Sequence, residues 1–204
     1  DYLFLDWQLL NIPNWQVDMH IGRYKNYHWM YSATRDVPHT RPSIILPQSI
    51  YFDVFRDVAL GSDGLAILAS TNNEVGEWEI NWSYGRSDIS AEQTQNLLSD
   101  GASGDLEQDF AHQFTLTWKP ITSLYQVGLS LLDSKFSYRQ GQGDDYFDGV
   151  ATSQRLMLNF IYFGEFWELS SEILKERVVF QDVVFPSFYS DSTAEGGYLQ
   201  FRYF

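Results

Sequence analysis

The chain has no cysteine among its 204 residues. That excludes disulfides, thiolate zinc sites and cysteine nucleophiles, and it leaves the redox compartment open. Positive charge is scarce as well, with 13 Lys+Arg against 27 Asp+Glu. A phosphate-binding surface needs a basic face, so no nucleic-acid role is expected. No run of about 18 apolar residues occurs, which excludes a transmembrane helix. The opening DYLFLDWQLL lacks the basic segment and small-residue cleavage site of a signal peptide, so the chain is expected to be mature, cytosolic or a piece of something longer.

What is abundant is aromatic: 17% of residues, with 7 Trp and 13 Tyr. This suits either a glycan-binding β-protein or a barrel with aromatic girdles at a lipid interface. Period-two alternation recurs from end to end and predicts about nine strands. They lie near Tyr2–Leu10, Trp15–Arg23, Gly64–Ser70, Glu77–Gly85, Phe110–Trp118, Ser123–Ser134, Gln154–Phe163, Phe166–Glu176 and Gly197–Tyr203. In the second, Trp15, Val17, Met19 and Ile21 share one face and Gln16, Asp18 and His20 the other. In the fourth, Trp78, Ile80, Trp82 and Tyr84 oppose Glu79, Asn81 and Ser83. Between the fourth and fifth, Ser90-Ala-Glu-Gln93 reads as a capping box opening a short helix to about Leu98.

The connections alternate between tight turns (Asn11–Asn14, Thr71–Val75, Lys119–Thr122, Gly164–Glu165) and long segments (24–62, 86–108, 139–150, 177–195). Short turns on one side and long loops on the other, joining strands of about 9–11 residues, are the pattern of an up-and-down transmembrane β-barrel. A soluble sandwich or jelly roll that binds glycans is the alternative, although it has no reason to segregate loop lengths. The polar parity carries ionised groups (Asp18, Glu79, Arg155, Glu168, Glu172, Arg202), whereas the other parity carries almost none within the spans. Nine is an odd count, and single-chain bacterial barrels have an even one. Phe204 ends the chain, but Arg202 and Gln200 take the positions in phase with it and the apolar residues Leu199, Phe201 and Tyr203 do not. The expectation is the middle of a larger barrel, or one whose closing strands are supplied elsewhere.

The least repetitive stretch is Thr34–Asp53, TRDVPHTRPSIILPQSIYFD. Pro38, Pro42 and Pro47 rule out a helix or a central strand there, Arg35 and Arg41 add charge, and Ile44–Leu46 form an apolar patch that needs somewhere to bury. The "IGR" at Ile21–Arg23, the segment TRDVPHTRPSIILPQSIYFD and the following strand opening SDGLAI resemble a porin-like outer-membrane family of gammaproteobacteria. The resemblance covers roughly residues 15–85, and the rest by strand-and-loop pattern. It implies an outer-membrane location in a Gram-negative bacterium, a lipid bilayer and lipopolysaccharide as surroundings, small hydrophilic solutes as cargo and, as is common for the class, a homotrimer. It also implies that the loop at 24–62 folds inward as a constriction.

Two readings stay open for Arg35, Asp36 and Arg41. They form one side of a transverse field facing Asp18, Glu79, Glu168, Glu172 and Arg155, or they pin the loop to the wall by salt bridges. Trp15, Trp78, Trp82, Trp118 and Trp167 lie at apolar-parity positions, as girdle residues would, with sugar stacking the alternative. Tyr198, on the polar parity, is the better sugar contact. Asp144, Asp145 and Asp148 offer oxygen ligands at close spacing, but the EF-hand spacing is missing and a solvated acidic loop is the simpler account. His20, His28, His39 and His112 are scattered, with no pair at metal-ligand spacing. There is no G-x-S-x-G motif, and nothing fixes His112 beside a nucleophile, so neither an enzyme nor a cofactor is expected.

Overall fold

The computed structural model describes residues 2–28, 30–31, 46–47, 49–51, 61–99, 101–122 and 124–204. Nine strands run through them: β1 (Leu3–Ile12), β2 (Trp15–Lys25), β3 (Gly61–Asn73), β4 (Gly76–Arg86), β5 (Asp105–Pro120), β6 (Tyr125–Arg139), β7 (Gly149–Phe163), β8 (Trp167–Gln181) and β9 (Tyr189–Tyr203). Each pairs antiparallel with the next, giving one sheet in chain order. The expected all-β up-and-down arrangement is therefore present. A two-layer sandwich is not, because the described strands belong to a single sheet. β1 and β9 are its edges and are not neighbours in it.

Local chemistry sets the turns. Pro13–Asn14 joins β1 to β2, and the fixed φ of proline suits the turn. Asn73 Oδ1 accepts from the amides of Val75 (2.9 Å) and Gly76 (3.2 Å), closing an Asx-type turn between β3 and β4. The expected capping box is formed: Gln93 N–H donates to Ser90 Oγ and Ser90 N–H to Gln93 Oε1, opening helix α1 (Ala91–Leu97).

The strands at the long-connection end run further than the alternation predicts. β5 begins at Asp105, β6 continues to Arg139, and β8 and β9 leave only residues 182–188 between them. The outward positions there are polar and ion-paired across strands: Lys135–Asp109 at 3.1 Å, Arg139–Glu107 at 3.1 Å, Lys175–Glu195 at 3.2 Å and Arg177–Asp191 at 2.7 Å. With polar groups on both faces, the pairing continues while the apolar signal stops.

Register carries one parity across the sheet. Val17, Ala69, Ile80, Leu116, Leu129, Leu158 and Ile173 form one continuous row on the outward face. An inward row three residues along runs His20, Ala66, Ser83, Gln113, Leu132, Arg155 and Glu176. In this band large apolar side chains of the outward face are exposed and several polar ones of the inward face are buried. Leu158 is 43% and Ile173 54% exposed, whereas the adjacent Met157 and Glu172 are 1% and 0% exposed. Ser130, Ser134, Asn159 and Ser170 are likewise buried.

Small residues make room on the inside. Gly22, Gly64 and Gly85 are register partners, and the hydroxyl of the fully buried Tyr24 lies over Gly85. A Cβ on Gly85 would stand 2.8 Å from Tyr24 Oη and 2.7 Å from the Asp63 carbonyl oxygen. Gly85→Val is expected to destabilise the fold by about 1–3 kcal/mol through overpacking, measured as a lowered urea midpoint. An unchanged midpoint would show that Tyr24 is not held there.

Candidate functional site

The segment after β2 does not stay at the rim. Beside β3, Ser62 Oγ donates to Asn26 Oδ1 at 3.1 Å. On the far side, Met30 N–H donates to Glu172 Oε1 of β8 at 3.0 Å, and Ser49 Oγ donates to the Gly197 carbonyl of β9 at 3.0 Å. β3 and β8 are five strands apart in the sheet, so one segment reaches both inward faces only because the sheet curls around it. The described part of the 24–62 connection therefore lies inside.

Glu172 anchors it. Its carboxylate accepts from Tyr51 Oη at 2.5 Å, Tyr198 Oη at 3.0 Å and the Met30 amide. Tyr31 Oη donates to Ser170 Oγ at 3.3 Å, one inward position along β8. Around these bonds Leu46, Ile50 and Tyr51 of the connection pack on Met157 and Leu174 of the wall, with Tyr31 and Tyr198 alongside. Leu46 is the described end of the apolar patch expected to bury, and it is 5% exposed. Close approach requires Gly196, where a Cβ would come within 2.4 Å of the Ser49 carbonyl oxygen. Burial first, and then the charge of Glu172, push the Tyr51 hydroxyl well above its usual value of 10.0, so it remains a donor.

The six expected interior charges within the described residues all take the inward parity. Asp18 accepts from Gln16 Nε2 at 2.6 Å. Glu79 pairs with Lys119 at 3.1 Å, Glu168 with Arg202 at 2.7 Å and Arg155 with Glu176 at 2.9 Å. Glu172 faces no open space, being sealed beneath the connection. Arg35, Asp36 and Arg41 lie outside the described residues. Inward carboxylates on the strands (Asp6, Asp18, Glu77, Glu79, Glu168, Glu172, Glu176) outnumber inward cations (Lys119, Arg155, Arg202).

Trp15, Trp78, Trp118 and Trp167 sit on the outward face at the short-turn end, joined by Tyr125, Tyr162 and Tyr203. Trp78 stacks on Trp118 with centroids 5.7 Å apart, and Trp167 on Tyr162 at 4.8 Å. Trp82 stands higher, where its Nε1–H donates to His112 Nε2 at 2.6 Å. Asp144 and Asp148 organise their own loop. Asp144 accepts from Tyr138 Oη and from the amides of Gly141 and Tyr146, and Asp148 from the Gln140 amide.

Above the anchored segment lies a cavity of about 570 Å³. Asn26, His28, Gln108, Gln113, Ser153, Arg155 and Glu176 form its polar part, and Leu97, Leu98, Leu106, Leu132, Phe136, Val178 and Phe180 its apolar part. The alternation gave no sign of it. It arises where inward positions near the long connections turn apolar, and the only sequence signal was Phe136, Val178 and Phe180 lying beyond the predicted strands or on their polar parity.

His28, 1% exposed, is held well below its usual 6.5 by burial and then by the positive charge of Arg155. A depressed folded pKa keeps this contribution whole above about 6.5 and removes it as the pH falls, by at most about 1.4 kcal/mol per pH unit. Stability is therefore expected to drop between pH 6.5 and 5, and His28→Asn to flatten that limb in urea titrations. An identical acid limb in the variant would assign the effect to other groups.

Compared with models of known protein families, with curated proteins and with solved structures, the chain matches none.

Proposed function

We propose that these strands form part of the wall of a porin-like barrel in the outer membrane of a Gram-negative bacterium, through which small hydrophilic solutes diffuse passively. One observation carries the reading: the sheet wears its apolar residues outside and its polar residues inside. A water-soluble sheet would gather Leu129, Leu158, Phe160 and Ile173 into a core. Here Leu158, Phe160 and Ile173 are exposed, while Ser130, Asn159 and Glu172 are buried. The outward row from Trp78 to Tyr84 runs about 20 Å along the strand, with Trp78 stacked on Trp118 at one end, Tyr84 stacked on Phe110 at the other, and the outward ion pairs beyond it on β5, β6, β8 and β9. Acyl chains against this band and lipopolysaccharide beside the charged collar are the proposed surroundings. The resemblance of residues 15–85 to a porin-like family supports the same reading. In a bilayer the edges of β1 and β9 need hydrogen-bonding partners, so the reading requires each edge to be paired.

Reconstituted into planar bilayers, the protein is expected to give stepwise conductance with a preference for potassium over chloride, set by the excess of inward carboxylates. Monodisperse behaviour without detergent, or a bilayer with no steps at all, would overturn the channel. Within the band, Leu129→Arg is expected to cost about 2–4 kcal/mol in lipid, and Gln154→Arg nearer the charged collar about 0–1 kcal/mol. Equal costs in vesicle unfolding titrations would mean that no lipid boundary lies between them.

A further inference from the structure

The cavity does not have the lining of a purely aqueous passage. Register orders its wall along the strands. Gln113, Leu132, Arg155 and Glu176 are consecutive partners in one row. Four residues along, Phe136, Ala151 and Phe180 are consecutive partners in another. The spacing between the rows is about 13 Å. The first row carries hydrogen-bonding groups on either side of Leu132: Gln113 on one side and, on the other, Arg155 on Glu176 at 2.9 Å, with Ser153 Oγ from the next inward position donating to Glu176 at 2.5 Å. The second row starts at Gln108 on β5 and is apolar from Phe136 through Ala151 to Phe180, and Ala151 leaves space between the two rings. Leu97 and Leu98, at the end of α1, line the apolar end from above.

Charge decides the kind of ligand. Arg155 and Glu176 offset one another, and His28 is held neutral by burial. The polar end therefore offers donors and acceptors without net charge. At about 570 Å³ the cavity lies in the size range of small-molecule sites, which are mostly apolar with a few placed polar groups.

We infer that the cavity between the inward faces of β5–β8 and the end of α1 is a binding site for a small uncharged amphipathic molecule. The apolar body lies between Phe136 and Phe180, and a hydroxyl- or amide-bearing head lies toward Arg155, Glu176 and Gln113. This goes beyond passive diffusion, since a purely hydrophilic solute leaves the apolar row without a partner.

Calorimetric titration of the detergent-solubilised protein tests it, with phenyl β-D-glucoside as the probe. D-glucose supplies the head alone, and phenyl phosphate supplies the ring with a charge. The glucoside is expected to bind saturably, with both controls at least tenfold weaker. Ala151→Phe, which fills the space between the rings, and Phe180→Ser, which removes one wall, are each expected to weaken the glucoside at least tenfold. No saturable binding by the wild type, or glucose binding as tightly as the glucoside, would overturn the site. So would either variant binding like the wild type while keeping its strand signal in circular dichroism. The readout needs no membrane. A chain that conducts without binding loses this site alone, and one that binds without conducting loses the channel alone.

Discussion

A buried carboxylate is tolerated only where hydrogen bonds replace its lost hydration, and Glu172 has three. Two come from the connection that follows β2, through Tyr51 and the Met30 amide, and the third from Tyr198 on the neighbouring strand. The bonds are charge-assisted, so each is worth more than a neutral pair. They also fix geometry: a segment that must supply both a backbone amide and a phenol to one carboxylate has little freedom in where it crosses. The apolar contacts of Leu46, Ile50, Met157 and Leu174 are secondary in this sense, because they have no direction. The carboxylate places the segment and the apolar side chains then exclude water around it.

The rest of the interior follows from that placement. With the connection anchored against β8 and β9, the space above it, toward the long connections, is filled only in part, and the cavity lies in what remains. Inward charges within it cannot rely on bulk water, which is why Arg155 and Glu176, each about one-tenth exposed, are paired. Nearer the short turns, Lys119 with Glu79 and Arg202 with Glu168 are more exposed and serve as local neutralisation within the wall.

Much of this was legible in the residues and some was not, for definite reasons. Strands at Trp15 or Glu77 could be placed because apolar and polar residues alternate there with period two. The upper halves of β6, β8 and β9 could not, because Lys135, Arg177 and Asp191 make the outward face as polar as the inward one. The capping box at Ser90 was readable because its bonds are local. The role of Glu172 was not. Parity put it inside, yet its partners Tyr51 and Met30 stand 121 and 142 residues away in the chain. Tyr198 stood out by its parity, although its hydroxyl is used by Glu172. Arg35 and Arg41, for which the sequence left open a constriction role or salt bridges that pin the loop, lie outside the described residues, so the interior balance rests on strand residues.

That balance bears on how opposed charges work in such a wall. A transverse field requires cations and anions on facing surfaces, separated enough that neither neutralises the other. Here the inward cations Lys119, Arg155 and Arg202 each lie within 3.1 Å of a carboxylate on the adjacent strand. At that separation a pair acts at a distance as a dipole, and its field falls off faster than that of a lone charge. The long-range potential inside the sheet is then set by the surplus. Lys119 can balance only one of Glu77 and Glu79, and Asp18 leans on an uncharged amide. These acids gather toward the short-turn end, away from the apolar row of the cavity. In the proposed channel a solute crossing the interior would thus meet an uncharged amphipathic surface at one level and a net negative one at another, both supplied by the same alternating sheet through a change in which residues it turns inward.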